Sequence, residues 1–423
     1  MAPAQPVGAP APRDGRIPAS CAHGCQNRDF SLYVHIPFCS VRCGYCDFNT
    51  YATEDFGDGI GLGTYADDAT AEIFFAARTL EASGVVKRPL HTVFFGGGTP
   101  TKLPAYDLVR ILRTAIDIFG IEDGAEVTTE ANPDSVTYED LQTLKDGGFT
   151  RVSFGMQSVV PEVLKVLDRT HTPENVPKVV AWARDIGLQV SIDLIYGSPS
   201  ETLEQWEQSV QAAISYQPDH ISAYSLIVED GTKLAAQIRR GEYTMPDDDL
   251  MADMYLRAED LLMQAGYRWY EVSNYSRSEH TRSDHNMAYW RNQDWWGIGP
   301  GAHSHINGTR WWNIKHPVPY AYRVRAGQSP AAAREILDSD SRSFETIMLL
   351  IRVREGLPMH ELLAVHPAAD LGSSLRWLLS QGLIESDVFT DTGMPNPDAS
   401  VKLTLQGRLL GDAVTRELLP DIK

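Results

Sequence analysis

Cysteine is scarce in this 423-residue sequence: there are five, an odd number, and three of them fall within eight positions. So few, so clustered, exclude a disulfide scaffold and fit thiols kept reduced for a metal, as in the cytoplasm. Long apolar runs are missing too. No stretch reaches the roughly 18 apolar residues that span a bilayer, and the Ala- and Pro-rich first 28 residues hold no continuous apolar signal core. Basic charge is also short, with 37 Lys plus Arg against 56 Asp plus Glu and a net charge of -19. Such a surface repels a phosphate backbone, so nucleic acid is excluded as a main partner. What remains reads as a soluble cytoplasmic protein whose 43% hydrophobic content can bury a large core.

Strand-like runs are expected at 31–36, 91–95, 126–130, 151–156, 189–196 and 220–227, separated by helix-like stretches such as 64–80 and 104–119. Alternating strand and helix implies a parallel sheet. Cys39, Gly96 to Gly98, Glu130, Gln157 and Asp193 all fall at or near the ends of these strands, where (β/α) barrels gather their chemistry. Six units are too few to close an eight-strand barrel. The expected fold is therefore α/β, a partial, laterally open (β/α)6 barrel over residues 29–315 whose aromatic-rich extension, 267–312, fits neither period. Residues 1–28 read as a disordered leader, 316–340 as a linker, and 341–423 as a small winged-helix-like domain of three short helices and a hairpin. That last module carries 8 Lys plus Arg and 11 Asp plus Glu, so it lacks the basic face of a DNA binder.

Cys39-Ser40-Val41-Arg42-Cys43-Gly44-Tyr45-Cys46 sets three thiolates at Cys-x3-Cys-x2-Cys on one loop. Zinc would want a fourth Cys or His at regular spacing, and no further cysteine lies downstream. Thiolate sulfur suits an iron–sulfur cluster, and three ligands leave one iron of a 4Fe-4S cluster open. Cys21 and Cys25 sit in the leader and read as incidental.

The spacing resembles the signature of the radical SAM superfamily, in which the open iron is chelated by S-adenosylmethionine and an electron passed to its sulfonium yields methionine and a 5'-deoxyadenosyl radical. Further ordered matches are Tyr33 to Cys39, Gly96 to Pro100, Ser153 to Ser158, Ile192 to Gly197 and Tyr270 to Tyr275. Together they resemble the oxygen-independent coproporphyrinogen III oxidase (HemN) family over nearly the whole chain from about Phe30. That resemblance implies S-adenosylmethionine contacts at Tyr33, Gly97 and Glu130. It implies positions near a second such molecule at Gly98, Thr99, Gln157, Arg169 and Asp193.

Two departures from the true oxidase stand out. Phe48 occupies the place of a fourth cysteine, and only about 30 residues precede the first strand. Both, with His285-Asn286-Met287-Ala288-Tyr289-Trp290, resemble the HemW-type haem chaperone subfamily. The resemblance makes His285 the haem-ligand candidate, with His303 and His305 behind it. It implies haem as cargo, haemoproteins as acceptors and delivery that could reach the membrane periphery; homodimerisation is left open. The alternative is a coproporphyrinogen III oxidase performing radical decarboxylation to protoporphyrinogen IX, and the acidic C-terminal module disfavours a third reading, a winged-helix regulator with a redox cluster. Residue composition names no catalytic group.

Overall fold

The computed structural model describes residues 7–419. Six parallel strands lie side by side in chain order: β1 (Phe30–Ile36), β2 (Leu90–Gly97), β3 (Ile121–Ala131), β4 (Arg151–Gln157), β5 (Gln189–Tyr196) and β6 (His220–Ser225). Helices such as Tyr65–Ala82, Ala105–Phe119 and Leu203–Ser215 connect them across one face. The strand period explains which way each face looks. Leu32, Val34, Val93, Phe95, Val152, Phe154, Val190 and Ile192 are buried in the main core between sheet and helices. Their neighbours Thr128, Ser153, Ser191, Asp193 and Ser222 line a cavity on the other face instead. An apolar barrel centre would be packed shut; this one is polar and holds space. β1 and β6 do not pair with each other, so the barrel stays laterally open, as expected from six units.

The sheet does not stop at β1. Asp294–Ile298 adds to it in parallel, and His303–Ile306, Thr309–Asn313 and Ala331–Ile336 follow antiparallel; beyond β6 come Asn274–Ser276 and Arg268–Glu271. Two expectations are corrected here. The segment 316–340 is no linker, because it folds as the helix Pro317–Arg325 and the strand Ala331–Ile336. From residue 7 on, the leader is not disordered either. Ala9–Pro10 pairs with the edge strand Ala331–Ile336, a place that tolerates proline, and Cys21 and Cys25 are fully buried. Arg88 fixes the stretch by donating to the carbonyls of Cys25 at 2.7 Å and Arg28 at 2.9 Å. Backbone pairing to an open sheet edge needs no side-chain pattern, which is why composition gave no sign of it. Residues 1–6 of the expected leader lie outside the described residues.

The C-terminal part has its own core, built by Ile347, Leu357, Leu362, Leu371, Leu375, Leu378 and Val401. Helices Ser339–Leu350, Met359–Leu363 and Ala368–Ser380 surround a two-stranded pair, Leu357–Pro358 with Ser400–Val401, and Ile384 bridges Leu403 where a hairpin was expected. Arg408 joins this part to the barrel: its guanidinium meets both oxygens of Glu259 at 2.9 and 3.0 Å and lies 4.3 Å over the Trp269 ring. No described helix is long and apolar enough to cross a membrane.

Candidate functional site

Pro37 ends β1, and the chain turns into the cysteine loop. Two backbone bonds pin the neck of that loop, Tyr51 N–H to the Pro37 carbonyl at 2.7 Å and Cys39 N–H to the Tyr51 carbonyl at 3.0 Å. Its far end is held from both sides, by Gly44 N–H on the Leu167 carbonyl (3.2 Å) and by Leu234 N–H on the Gly44 carbonyl (2.9 Å). The Asp168 side chain packs against Gly44, where a Cβ would sit 2.4 Å from a carboxylate oxygen and push that side chain aside. The loop thus presents Cys39, Cys43 and Cys46 to one cavity of about 630 Å3. Each sulfur has a polar neighbour: Thr99 Oγ1 is 3.9 Å from Cys39, Arg169 Nη1 is 3.7 Å from Cys43, and Thr50 Oγ1 is 3.9 Å from Cys46. Burial pushes the Cys39 thiol up to about 11 and raises that of Cys46, so metal binding must drive off their protons.

Of the positions expected to meet S-adenosylmethionine, Gly97, Gly98, Thr99, Glu130, Gln157, Arg169 and Asp193 all line the same cavity. Sheet register assembles them: Glu130 lies opposite Ser153, Gly155 opposite Asp193, and Asp193 opposite Ser222. Tyr33 differs. Its hydroxyl is 2.9 Å from His35 Nδ1, and it does not reach the cavity wall. The glycines answer first to the protein itself: Gly97 has φ +108° and a Cβ there would strike the His35 ring, while one on Gly98 would lie 2.5 Å from the Phe38 carbonyl.

The wall is short of partners. Glu130 takes only the Gly97 N–H, at 3.0 Å, and burial, reinforced by the charge of Asp193, lifts its carboxyl to about 8. Asp193 accepts from Ser153 at 2.9 Å, and burial raises it as well. Neither carboxylate has an ion-pair partner within 4 Å among the described residues. Gln157 Oε1 and Arg169 Nε are buried without hydrogen bonds, and Gln157 is held at φ +62°. Two buried carboxyls without an ion-pair partner, beside three thiols, suit a ligand with cationic and hydroxyl groups. S-adenosylmethionine brings an ammonium, a sulfonium and ribose hydroxyls, and the open metal position would suit its amino-acid end. The donor set therefore fits both groups.

His285 is where expectation and structure part. It lies in the short helix Asp284–Trp290 at the opposite, N-terminal end of the barrel and is 1% exposed. Its Nδ1 is 2.7 Å from Thr92 Oγ1, its Nε2 is 3.0 Å from Tyr289 OH, and its ring stacks on Phe94 at 5.0 Å. Neither nitrogen is free for haem iron in this arrangement. Burial lowers its pKa to about 3, which keeps the ring neutral. Glu126 fixes the helix by accepting from Asp284 N–H at 3.0 Å, and it is itself paired with the buried Arg151 at 3.0 Å. His305 is likewise committed, to the Gln293 carbonyl at 2.9 Å and the Gly308 N–H at 2.8 Å. Only His303 is exposed, stacked on Trp312.

Sequence reading missed several residues. His171 lines the cavity, buried, with no partner on either ring nitrogen. Its position two residues past Arg169 was the available signal. His35 bridges Tyr33 and the Asn49 carbonyl (2.9 Å), tying β1 to the cysteine loop. Ser283 and Asn286 close the cavity from below, so the helix bearing His285 forms part of its floor.

Residues 33–213 match the model of the Radical SAM superfamily. Heme chaperone HemW of Mycobacterium tuberculosis is 43% identical over 395 residues, which is 92% of this chain and 95% of that protein. The Bacillus subtilis protein of the same name is 32% identical across 93% of this chain and 100% of its own length. Among solved structures, coproporphyrinogen III oxidase (HemN) from Escherichia coli superposes with a TM-score of 0.77 over 95% of this chain and 92% of its own, at 23% identity; that likeness establishes the fold alone.

Proposed function

The chain belongs to the HemW haem chaperone family within the radical SAM superfamily, and from that premise we propose that it binds haem as cargo and passes it to haemoproteins. In this reading Cys39, Cys43 and Cys46 hold a 4Fe-4S cluster with S-adenosylmethionine beside it. The observation that carries the cofactor half is the convergence of three thiols, two unpaired carboxylates and the unpartnered Gln157 and Arg169 atoms on one cavity. When bound, the cluster supplies low-potential electrons next to the sulfonium. The protein's own part is positional. Thr99, Arg169 and Thr50 stand against the three sulfurs, the Gly97 to Thr99 backbone packs under the loop, and Glu130 and Asp193 offer carboxyls that would give up their protons on meeting the ligand's cationic groups.

The test is anaerobic reconstitution of the full chain, followed on one sample by iron and sulfide analysis, haem titration and chromatography of coproporphyrinogen III incubations. About four irons per chain, a Soret band and no protoporphyrinogen are expected. Multiple turnovers of coproporphyrinogen would replace the chaperone reading with the oxidase.

A further inference from the structure

Five histidines are buried among the described residues: His35, His171, His220, His285 and His305. Four of them have both ring nitrogens engaged within the protein, His220 for instance by Ser191 at 2.8 Å and Tyr270 at 2.7 Å. His171 is the exception. It is 5% exposed, lines the cavity that holds the three cysteines, and has no hydrogen bond on Nδ1 or Nε2. Burying a polar ring without partners is costly, and in a cavity wall that cost is offset when a ligand supplies the missing bonds.

The charged neighbours of His171 are spent on other bonds. Asp134 accepts from Thr172 N–H at 2.9 Å and from Asn175 Nδ2 at 2.8 Å, and Arg169 Nη2 donates to the Gly155 carbonyl at 2.7 Å. The Thr172 bond, with Arg169 N–H on the Leu164 carbonyl at 2.9 Å, also pins the backbone on both sides of the ring. Burial, and then the charge of Arg169, lowers the imidazole to about 4, so it is neutral at physiological pH. A neutral imidazole carries one N–H donor and one bare nitrogen acceptor. It offers no countercharge and suits an uncharged group that both donates and accepts. The charges of S-adenosylmethionine all sit on its methionine half, whereas its ribose and adenine are uncharged and bear hydroxyl, amino and ring-nitrogen groups.

We propose that His171 hydrogen-bonds the nucleoside part of bound S-adenosylmethionine, as a further binding residue of the cavity; the assignment rests on the reading that the cluster-loaded chain binds this ligand. The test measures three affinities by calorimetry on the cluster-loaded full chain. The probes are S-adenosylmethionine, 5'-methylthioadenosine, which keeps the nucleoside without the amino-acid end, and methionine, which keeps the amino-acid end without the nucleoside. His171→Leu should weaken the first two by about tenfold and leave methionine as in wild type. His171→Gln, whose amide offers both a donor and an acceptor, should restore most of that loss.

Wild-type affinity for S-adenosylmethionine in His171→Leu with its cluster intact would overturn the assignment while leaving the cofactor reading in place. Equal weakening of all three probes would overturn it too, since a nucleoside contact cannot act on methionine. If His171→Leu loses iron, the nitrogen-15 signals of the wild-type ring decide the matter: 5'-methylthioadenosine should shift them, and unmoved signals would refute the contact. A wild-type chain that binds no S-adenosylmethionine would overturn the cofactor reading and the assignment with it.

Discussion

The two ends of the barrel are built from the same strands and behave in opposite ways. At the C-terminal end, Glu130, Asp193, Gln157, Arg169 and His171 face a cavity with fewer partners than they can use. At the N-terminal end, His285, Tyr289, Thr92, Glu126 and Ser283 use one another. Unmet polar capacity under a mouth that opens to solvent signals a ligand; capacity met inside the protein signals architecture. On that contrast the upper end is the candidate binding site and the His285 helix forms part of its floor.

Removing a metal ligand should break the contrast most sharply. Cys39→Ala, Cys43→Ala or Cys46→Ala should abolish iron retention after anaerobic reconstitution, whereas Cys21→Ala and Cys25→Ala should keep full iron and lose only about 1 kcal/mol of stability in denaturant unfolding. Iron loss confined to the Cys21 or Cys25 variants would reverse the assignment.

At the floor the largest effect should be on folding. Glu126→Gln leaves the buried Arg151 without its countercharge and should cost about 3 kcal/mol or more, read by chemical denaturation. His285→Ala should come next, at roughly 3 kcal/mol, for a lost ring stack and two lost hydrogen bonds. In the folded fraction, iron content and S-adenosylmethionine affinity should stay near wild type. A stable His285→Ala protein that no longer binds haem would return the ligand role to that helix.

The remaining effect concerns pH. Glu130 titrates near 8 in the folded protein, above the ordinary carboxylate range, because burial and then Asp193 disfavour its charge. A raised folded pKa means stability that is fully present below the unfolded value and is lost as pH rises toward and through 8. Glu130→Gln should therefore flatten the fall in cofactor-free stability between about pH 5 and 9, while weakening S-adenosylmethionine binding. Parallel pH profiles for the two proteins would show that Glu130 stays ionised through other contacts.

How much of this was legible differs between the same two ends. Cys39, Cys43 and Cys46 declare themselves by spacing, and Gly97, Glu130 and Asp193 by falling at strand ends, because both patterns are local. His285 is harder to read from sequence for a physical reason. A histidine between aromatic residues looks the same in sequence whether its nitrogens face a porphyrin or, as here, Thr92 from 193 positions away. The N-terminal strand Ala9–Pro10 and the helix Pro317–Arg325 were missed likewise, their order coming from pairing and packing across the chain.

The claim that the upper end is an unfinished site, completed by a cluster and the ligand on its open iron, is met most directly by measuring S-adenosylmethionine affinity calorimetrically in cluster-loaded and cluster-free protein. Binding that requires the cluster, and that weakens in cluster-loaded Glu130→Gln but not in cluster-loaded His285→Ala, is the predicted result. Equal affinity with and without the cluster would contradict it.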